Sequence, residues 1–338
     1  MVSIYLDTGL PTVSVSTTLL AIQNSASQIF SFNATDNGGV IDHYECQIDG
    51  GSWGACSSPK SYSGLAEGDH VFSVKAIDTA GNVSNIDSRN WHIDLSSPVL
   101  SLSVIPNPIT NQLMSTVTFS ASDTGGGVVA GYLCNLDNSG YVSCASPLSH
   151  LLSAGAHNVL IKAFDSAGNY SNIQSASWTI DTSLPTVSFV AKPSLVTNAA
   201  TASFSFTGAD TGGGAIASYE CRLDSASYSA CTSPYNLSGL GAGIHSVQIR
   251  AIDNAGNIGN AITYSWTIDT TAPSISLTSM PAVLTSSVSA SFSFSAIDSG
   301  GGSLANYSCK LDSGSYALCT SPQTYSGLSV GAHQFYVI

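Results

Sequence analysis

Trp178-Thr-Ile-Asp181-Thr-Ser-Leu-Pro185 lies near the middle of the chain, and the chain repeats it. Close copies stand at Trp91-His-Ile-Asp94-Leu-Ser-Ser-Pro98 and Trp266-Thr-Ile-Asp269-Thr-Thr-Ala-Pro273, with a weaker one at Ile4-Tyr-Leu-Asp7-Thr-Gly-Leu-Pro11. Apolar residues alternating with polar ones read as a strand. The proline four residues after each aspartate cannot donate to a ladder, so every copy reads as a last strand running into a linker. The aspartates fall at positions 7, 94, 181 and 269, so successive seams are 87, 87 and 88 residues apart. A unit of about 87 residues is strung end to end.

A chain of 338 residues holds just under four such units, each large enough for a small β-sandwich core. Only 9% of residues are charged, and no window sustains helical periodicity. The 8 Lys and Arg against 21 Asp and Glu give a formal charge of -13, which repels phosphate backbones and anionic membranes and points away from nucleic acid as a partner. The acidic residues cluster at seams and loop ends, so the charge reads as local sites. Met1-Val-Ser-Ile-Tyr-Leu-Asp7 has neither a basic n-region nor an apolar h-region, and no apolar stretch reaches 18 residues. No membrane span is expected, and any export signal is expected outside this sequence.

The third unit is the clearest. Pro185-Thr-Val-Ser-Phe-Val reads as a first strand, and Ala202-Ser-Phe-Ser-Phe-Thr-Gly-Ala-Asp210 alternates as a second. The loop Thr211-Gly-Gly-Gly214 leads to a third strand, Ser218 to Asp224. A tight turn, Tyr228 to Cys231 and the short strand Tyr235 to Leu240 follow. The long strand Ile244 to Asp253, the loop Asn254-Ala-Gly-Asn257 and a last strand ending at Asp269 complete the unit. Seven short strands with turn signals every 8–12 residues indicate an immunoglobulin-like sandwich. The expected organisation is all-β: residues 1–7 a final strand of a preceding or partner module, 8–94, 95–181 and 182–269 three complete repeats, and 270–338 a fourth without its last strand.

Each unit holds two cysteines ten positions apart: Cys46 and Cys56, Cys134 and Cys144, Cys221 and Cys231, Cys309 and Cys319. The turn between them folds a hairpin that brings the pair opposite one another, within disulfide range. Four disulfides are predicted, each stabilising its unit by roughly 2–3 kcal/mol, and they imply an oxidising, hence extracellular or cell-surface, location. Zinc stands as an alternative, although two thiolates without a recurring pair of histidines leave its tetrahedron incomplete. Buried free thiols are the other alternative.

In such a sandwich the second and sixth strands run the same way, so their trailing loops meet the incoming linker. Asp94, Asp123 and Asp165 are therefore expected at one seam, Asp181, Asp210 and Asp253 at another, and Asp7, Asp36 and Asp78 at a weaker one. At the last seam Asp269 and Asp298 remain. Carboxylates this close repel unless a cation lies between them, and hard oxygen ligands in flexible loops suit Ca2+. The competing reading is turn chemistry, with each Asp capping its own loop and each Asn of the Ala-Gly-Asn loops taking the left-handed position.

Ala-x-Asp-x-Ala-Gly-Asn ahead of a last strand ending Ile-Asp-Thr-x-x-Pro resembles the bacterial immunoglobulin-like repeats of large secreted and surface-anchored adhesins. The resemblance covers all four units, through short motifs that mark a broad superfamily. It implies a long stalk whose interdomain aspartates bind Ca2+, with Asp94, Asp123 and Asp165, and Asp181, Asp210 and Asp253, as ligands. The chain departs from the pattern in its cysteine pair, in Leu95 where the other seams have Thr, and in the missing Ala-Gly-Asn loop of unit four.

Other candidates read as scaffold. His70, His157, His245 and His333 occupy one repeated place, which suits a turn or packing role rather than catalysis. Trp91, Trp178 and Trp266 alternate with polar neighbours and read as core. Trp53 stands where the other units have Tyr141, Tyr228 and Tyr316, and would serve a carbohydrate-binding module. Thr211-Gly-Gly-Gly214 lacks the Lys and helix of a phosphate loop and reads as a flexible turn. No nucleophile elbow, His-Glu-x-x-His or paired Glu points to an enzyme.

The chain opens with a strand equivalent to a last strand and closes on a unit lacking one. A boundary inside a longer repeat protein explains both. So does donor-strand assembly, in which Val2, Ile4 and Leu6 of one molecule fill the groove of unit four in the next and build a filament. The sequence thus leads to the stalk of an extracellular adhesin or fibre. Its expected partners are neighbouring modules or identical subunits head to tail, and a cell-surface ligand at a distal tip outside this chain.

Overall fold

In Thr201–Ala209, Ala202, Phe204 and Phe206 are buried while Ser203 and Thr207 face solvent. In Gly243–Asp253, Val247, Ile249 and Ala251 are buried in turn. Strict alternation presents one apolar face per strand, and two such faces can be covered only by packing sheet on sheet. The computed structural model, which describes residues 3–338, does this four times over. The chain divides into two compact units between Ile180 and Asp181, and each holds two repeats. Val2, the first residue expected in a donor strand, lies outside the described residues.

The second module shows the arrangement. Val99–Val104, Met114–Ser122 and Leu148–Leu151 form a three-stranded antiparallel sheet. The facing sheet has five strands in the order Ile109–Thr110, Gln174–Ile180, Gly155–Asp165, Val129–Leu136, Val142–Cys144. Between them lie Leu100, Val117, Phe119, Val159, Ile161, Ala163, Trp178 and Ile180. The third module repeats both sheets around Phe204, Phe206, Ile249 and Trp266, and the first repeats the five-stranded sheet around Phe30, Phe72 and Trp91. In the first module the second strand is interrupted at Ser31. Its two halves, Gln28–Phe30 and Phe32–Thr35, pair with Lys60–Tyr62 and Thr12–Val15 respectively. In the fourth, Tyr307–Leu311 pairs with Ala317–Cys319 and with Phe335–Val337. No helix of the described residues is long and apolar enough to cross a membrane.

The first strand differs from its sequence reading. After Thr186–Ala191 has paired antiparallel with Thr201–Ala209, the chain crosses to the other sheet, where Val196–Thr197 runs parallel with Ile262–Ile268. Pro193 in this module, and Pro106 and Pro108 in the second, stand at the crossing, where a residue without an N–H ends one ladder and leaves the chain free to begin another.

All eight cysteines are joined as the four predicted pairs, with Cα atoms 5.8 to 5.9 Å apart. They are not directly opposite, as the hairpin argument expects. Tyr219 faces Cys231 and Cys221 faces Ser229, so each bridge runs diagonally across one face of its hairpin. Strand twist brings this diagonal into bonding range.

Candidate metal centres

Strand ends position the aspartates. Asp123 follows Met114–Ser122, Asp165 closes Gly155–Asp165, and Asp94 follows Asp87–Ile93. A carboxylate oxygen from each meets the other two within 4.8 Å. Asp7, Asp36 and Asp78, and Asp181, Asp210 and Asp253, make two further groups of the same kind. Asp269 and Asp298 face a fourth loop, where the Gly302 N–H donates to Asp269 Oδ2 at 2.8 Å.

The three carboxylates of a group are held differently. Asp165 Oδ1 accepts the backbone N–H groups of Ala167, Gly168 and Asn169 at 2.9, 2.7 and 2.8 Å, and its Oδ2 accepts the Asn169 side-chain amide at 2.9 Å. Asp94, with no exposed surface, accepts Ser96 N–H on Oδ1 at 3.1 Å, and no donor among the described residues reaches its Oδ2. Asp123 has neither oxygen satisfied, and Asp36 and Asp210 are in the same condition. The linker residue of the second unit is better served, because Asp181 Oδ2 accepts Gly214 N–H at 2.8 Å.

The electrostatics follow. Burial first, and then repulsion from Asp123 and Asp165, raises the Asp94 pKa above the usual carboxylate range. For Asp78 burial also pushes upward, but the hydrogen bonds from Asn82 and from the loop N–H groups outweigh it and the net shift is down. Each group therefore contains one carboxylate held by the N–H groups of its own loop and at least one with a buried oxygen that no donor reaches. Buried anions in that state call for an external cation.

The loops make room for one. A Cβ built on Gly214 would stand 2.5 Å from Asp181 Oδ2 and 2.8 Å from Asp210 Oδ2, and one on Gly302 would stand 2.7 Å from both Asp269 Oδ2 and Asp298 Oδ2. The equivalent atom on Gly127 would collide with Asp94 and Asp123. Thr211-Gly-Gly-Gly214 is thus more than the flexible turn of the sequence reading, since its last glycine opens a space ringed by carboxylate oxygens. Orphaned buried oxygens, an open cradle and an all-oxygen donor set together fit a hard cation such as Ca2+.

Sequence reasoning missed several neighbours. Glu67 accepts the Ser96 hydroxyl on both oxygens at 3.0 Å, and His92 bridges Asp69 at 2.7 Å and the Gly125 carbonyl at 3.0 Å. Both depart from the repeat, where Ala154, Ala242 and Val330 stand in place of Glu67 and Thr179 and Thr267 in place of His92, and that departure is the signal they left. The asparagines also differ from expectation. Gly81, Gly168 and Gly256 take the left-handed backbone, with φ of 90°, 97° and 93°, so Asn82, Asn169 and Asn257 are free to hydrogen-bond elsewhere.

Outside the seams, each repeated histidine lies between an aspartate and a carbonyl; His70 meets Asp49 at 2.7 Å and the Ala66 oxygen at 2.8 Å. Trp91, Trp178 and Trp266 are core residues. The Lys75 ammonium lies over the Trp53 ring, 4.7 Å from its centroid, so one ring face that a sugar would stack on is already covered.

Residues 16–95 match the family model of a bacterial Ig-like domain. No protein of curated function matches the sequence. Among solved structures, the chain is similar to the fibronectin(III)-like modules of Clostridium thermocellum CbhA, at 16% identity and a TM-score of 0.34, over 50% of this chain and 94% of that one. It is similar to the FN1-FN3 domains of chicken CNTN1 at 14% identity and a TM-score of 0.28, over 76% and 98%. It is also similar to Sidekick-1 immunoglobulin domains 1–5 at 10% identity and a TM-score of 0.34, over 77% of this chain and 59% of that one.

Proposed function

We propose that this chain, which carries tandem bacterial immunoglobulin-like repeats, is an extracellular structural spacer, the stalk of a bacterial adhesin or surface fibre, and that Ca2+ stiffens its seams. The observation that carries the reading is the pair Asp94 and Asp123, in which Asp94 Oδ2 and both Asp123 oxygens are buried and find no donor. A cation drawn to them would also engage Asp165, fastening the linker residue to two loops of the module that follows it. Asp181 with Asp210 and Asp253, and Asp7 with Asp36 and Asp78, would act alike. Four disulfides support an oxidising, extracellular setting. The role is mechanical, and its partners are the neighbouring modules and whatever a distal tip outside this chain engages.

Small-angle scattering in millimolar Ca2+, repeated after EGTA, tests the reading. The maximum dimension is expected to shrink on chelation and to recover when Ca2+ is restored. A profile indifferent to EGTA would leave a passive spacer with turn-forming aspartates.

A second reading is a filament subunit built by strand donation between copies. Ile4 and Leu6 are 90% and 87% exposed and lie outside any strand, while Phe335–Val337 pairs with Tyr307–Leu311 along a single edge. If the reading holds, polymers form as protein concentration rises and vanish when residues 1–7 are deleted. Polymers that survive the deletion would end it.

A further inference from the structure

Asn82, Asn169 and Asn257 each divide one side-chain amide between two acceptors. Asn169 Nδ2 donates to the Asp94 main-chain carbonyl at 2.9 Å and to Asp165 Oδ2 at 2.9 Å. Asn257 makes the same pair of bonds to the Asp181 carbonyl and to Asp253 Oδ2, both at 2.8 Å. Asn82 makes them to the Asp7 carbonyl at 3.3 Å and to Asp78 Oδ2 at 2.9 Å. The asparagine is itself fixed, because its own carbonyl accepts the N–H of the aspartate that opens its loop, 3.1 Å away in each module.

We infer that these asparagines are positioning residues that turn cation binding into immobilisation of the linker. The inference rests on the metal reading above. A cation among these carboxylates would hold the linker through the Asp94 or Asp181 side chain, and a side chain allows its main chain to pivot about the Cα–Cβ bond. A second attachment at the carbonyl of the same residue removes the pivot. The other half of the amide grips the carboxylate that the loop N–H groups already hold, so linker backbone and metal ligand share one donor. Neither bond alone does this: the ion fixes the carboxylates, and the amide ties the peptide to them. Asn169→Ala is therefore expected to keep an ion-binding cradle while freeing Leu95–Ser97 from it.

Two measurements on the full chain decide the matter: Tb3+ luminescence titration, and hydrogen–deuterium exchange with and without Ca2+. In the parent protein Ca2+ should slow exchange in residues 95–97 and 182–184 at least tenfold. Asn169→Ala should abolish that protection at 95–97 and keep it at 182–184, and Asn257→Ala should do the reverse, so each variant carries its own control for folding. Tb3+ should still bind both, within about tenfold of the parent affinity. Full Ca2+-dependent protection in both variants would overturn the positioning role. Failure of the parent to bind Tb3+, or binding unaffected by Asp123→Asn combined with Asp210→Asn, would overturn the metal reading itself. Should one variant lose protection throughout the strands of its own module, the other decides.

Discussion

At the scale of single residues, the repeated histidine has the most definite chemistry. In each module Nδ1 meets a carboxylate, Asp49, Asp137, Asp224 or Asp312, and Nε2 meets a backbone carbonyl. Both neighbours are acceptors, so the site suits a ring with protons on both nitrogens and favours the imidazolium over the neutral form. In three modules it also tilts over the opposing indole, with centroids 5.4, 6.1 and 5.6 Å apart. For His70 and His157 burial lowers the pKa, but the carbonyl and the carboxylate outweigh it and the net shift is up. The His92 charge opposes at His70. For His245 the Gly241 carbonyl leads, and for His333 the Asp312 carboxylate, again upward. A histidine pKa raised on folding gives stability that is complete below the unfolded value of about 6.5 and is lost as pH rises through the folded value. Urea midpoints should accordingly fall as pH is raised from about 6.5 into the mildly alkaline range. His245→Gln should flatten that dependence in its own module; an unchanged slope would show that the ring is neutral.

At the scale of elements, the glycine loops after each second strand set the metal cradle. Gly213 has φ of 98° and needs to be glycine for its backbone, whereas Gly214 does not have a positive φ and is constrained by the side chains above it, Asp181, Asp210 and Asn254. Gly214→Ala should therefore fold normally, with its far-ultraviolet dichroism unchanged, yet lose at least tenfold in Tb3+ affinity at the second unit's site. Equal affinity would mean that the ion, if bound, sits elsewhere. The strands themselves were legible in the sequence because period-two alternation and burial are the same fact seen twice. The crossing of the first strand between sheets was not, because two residues such as Val196 and Thr197 carry too little pattern to declare a sheet. The asparagine bonds were hidden for a similar reason: sequence supplies an amide but not its direction.

At the scale of the molecule, the four repeats fall into two compact units, and the complete acidic groups are shared between them, Asp7 and Asp94 with their partners in one and Asp181 with its partners in the other. A cation that binds only the folded state stabilises it by about 2.7 kcal/mol per site at a hundredfold excess over its Kd. Ca2+ should raise the melting temperature, and Asp123→Asn should remove the part of that gain belonging to the Asp94 site, leaving that of the Asp7 site in the same unit, while Asp210→Asn removes the second unit's. Differential scanning calorimetry read alongside limited proteolysis separates the two. A melting temperature insensitive to Ca2+ would mean that the carboxylates hold no Ca2+ in the folded state.

The sequence by itself determined the period, the sandwich class and the cysteine pairs, because these rest on short-range regularities that a repeat displays several times over. It also named the aspartates, through the rule that loops after parallel-running strands share one end of a sandwich. Only the tertiary structure decided which oxygens of those aspartates go without a donor, that glycine rather than asparagine takes the left-handed turn, and that Glu67 and His92 mark one seam as different from the rest. These depend on distances between residues up to about 75 positions apart in the chain, and no local pattern encodes a distance that exists only after the sheets have packed.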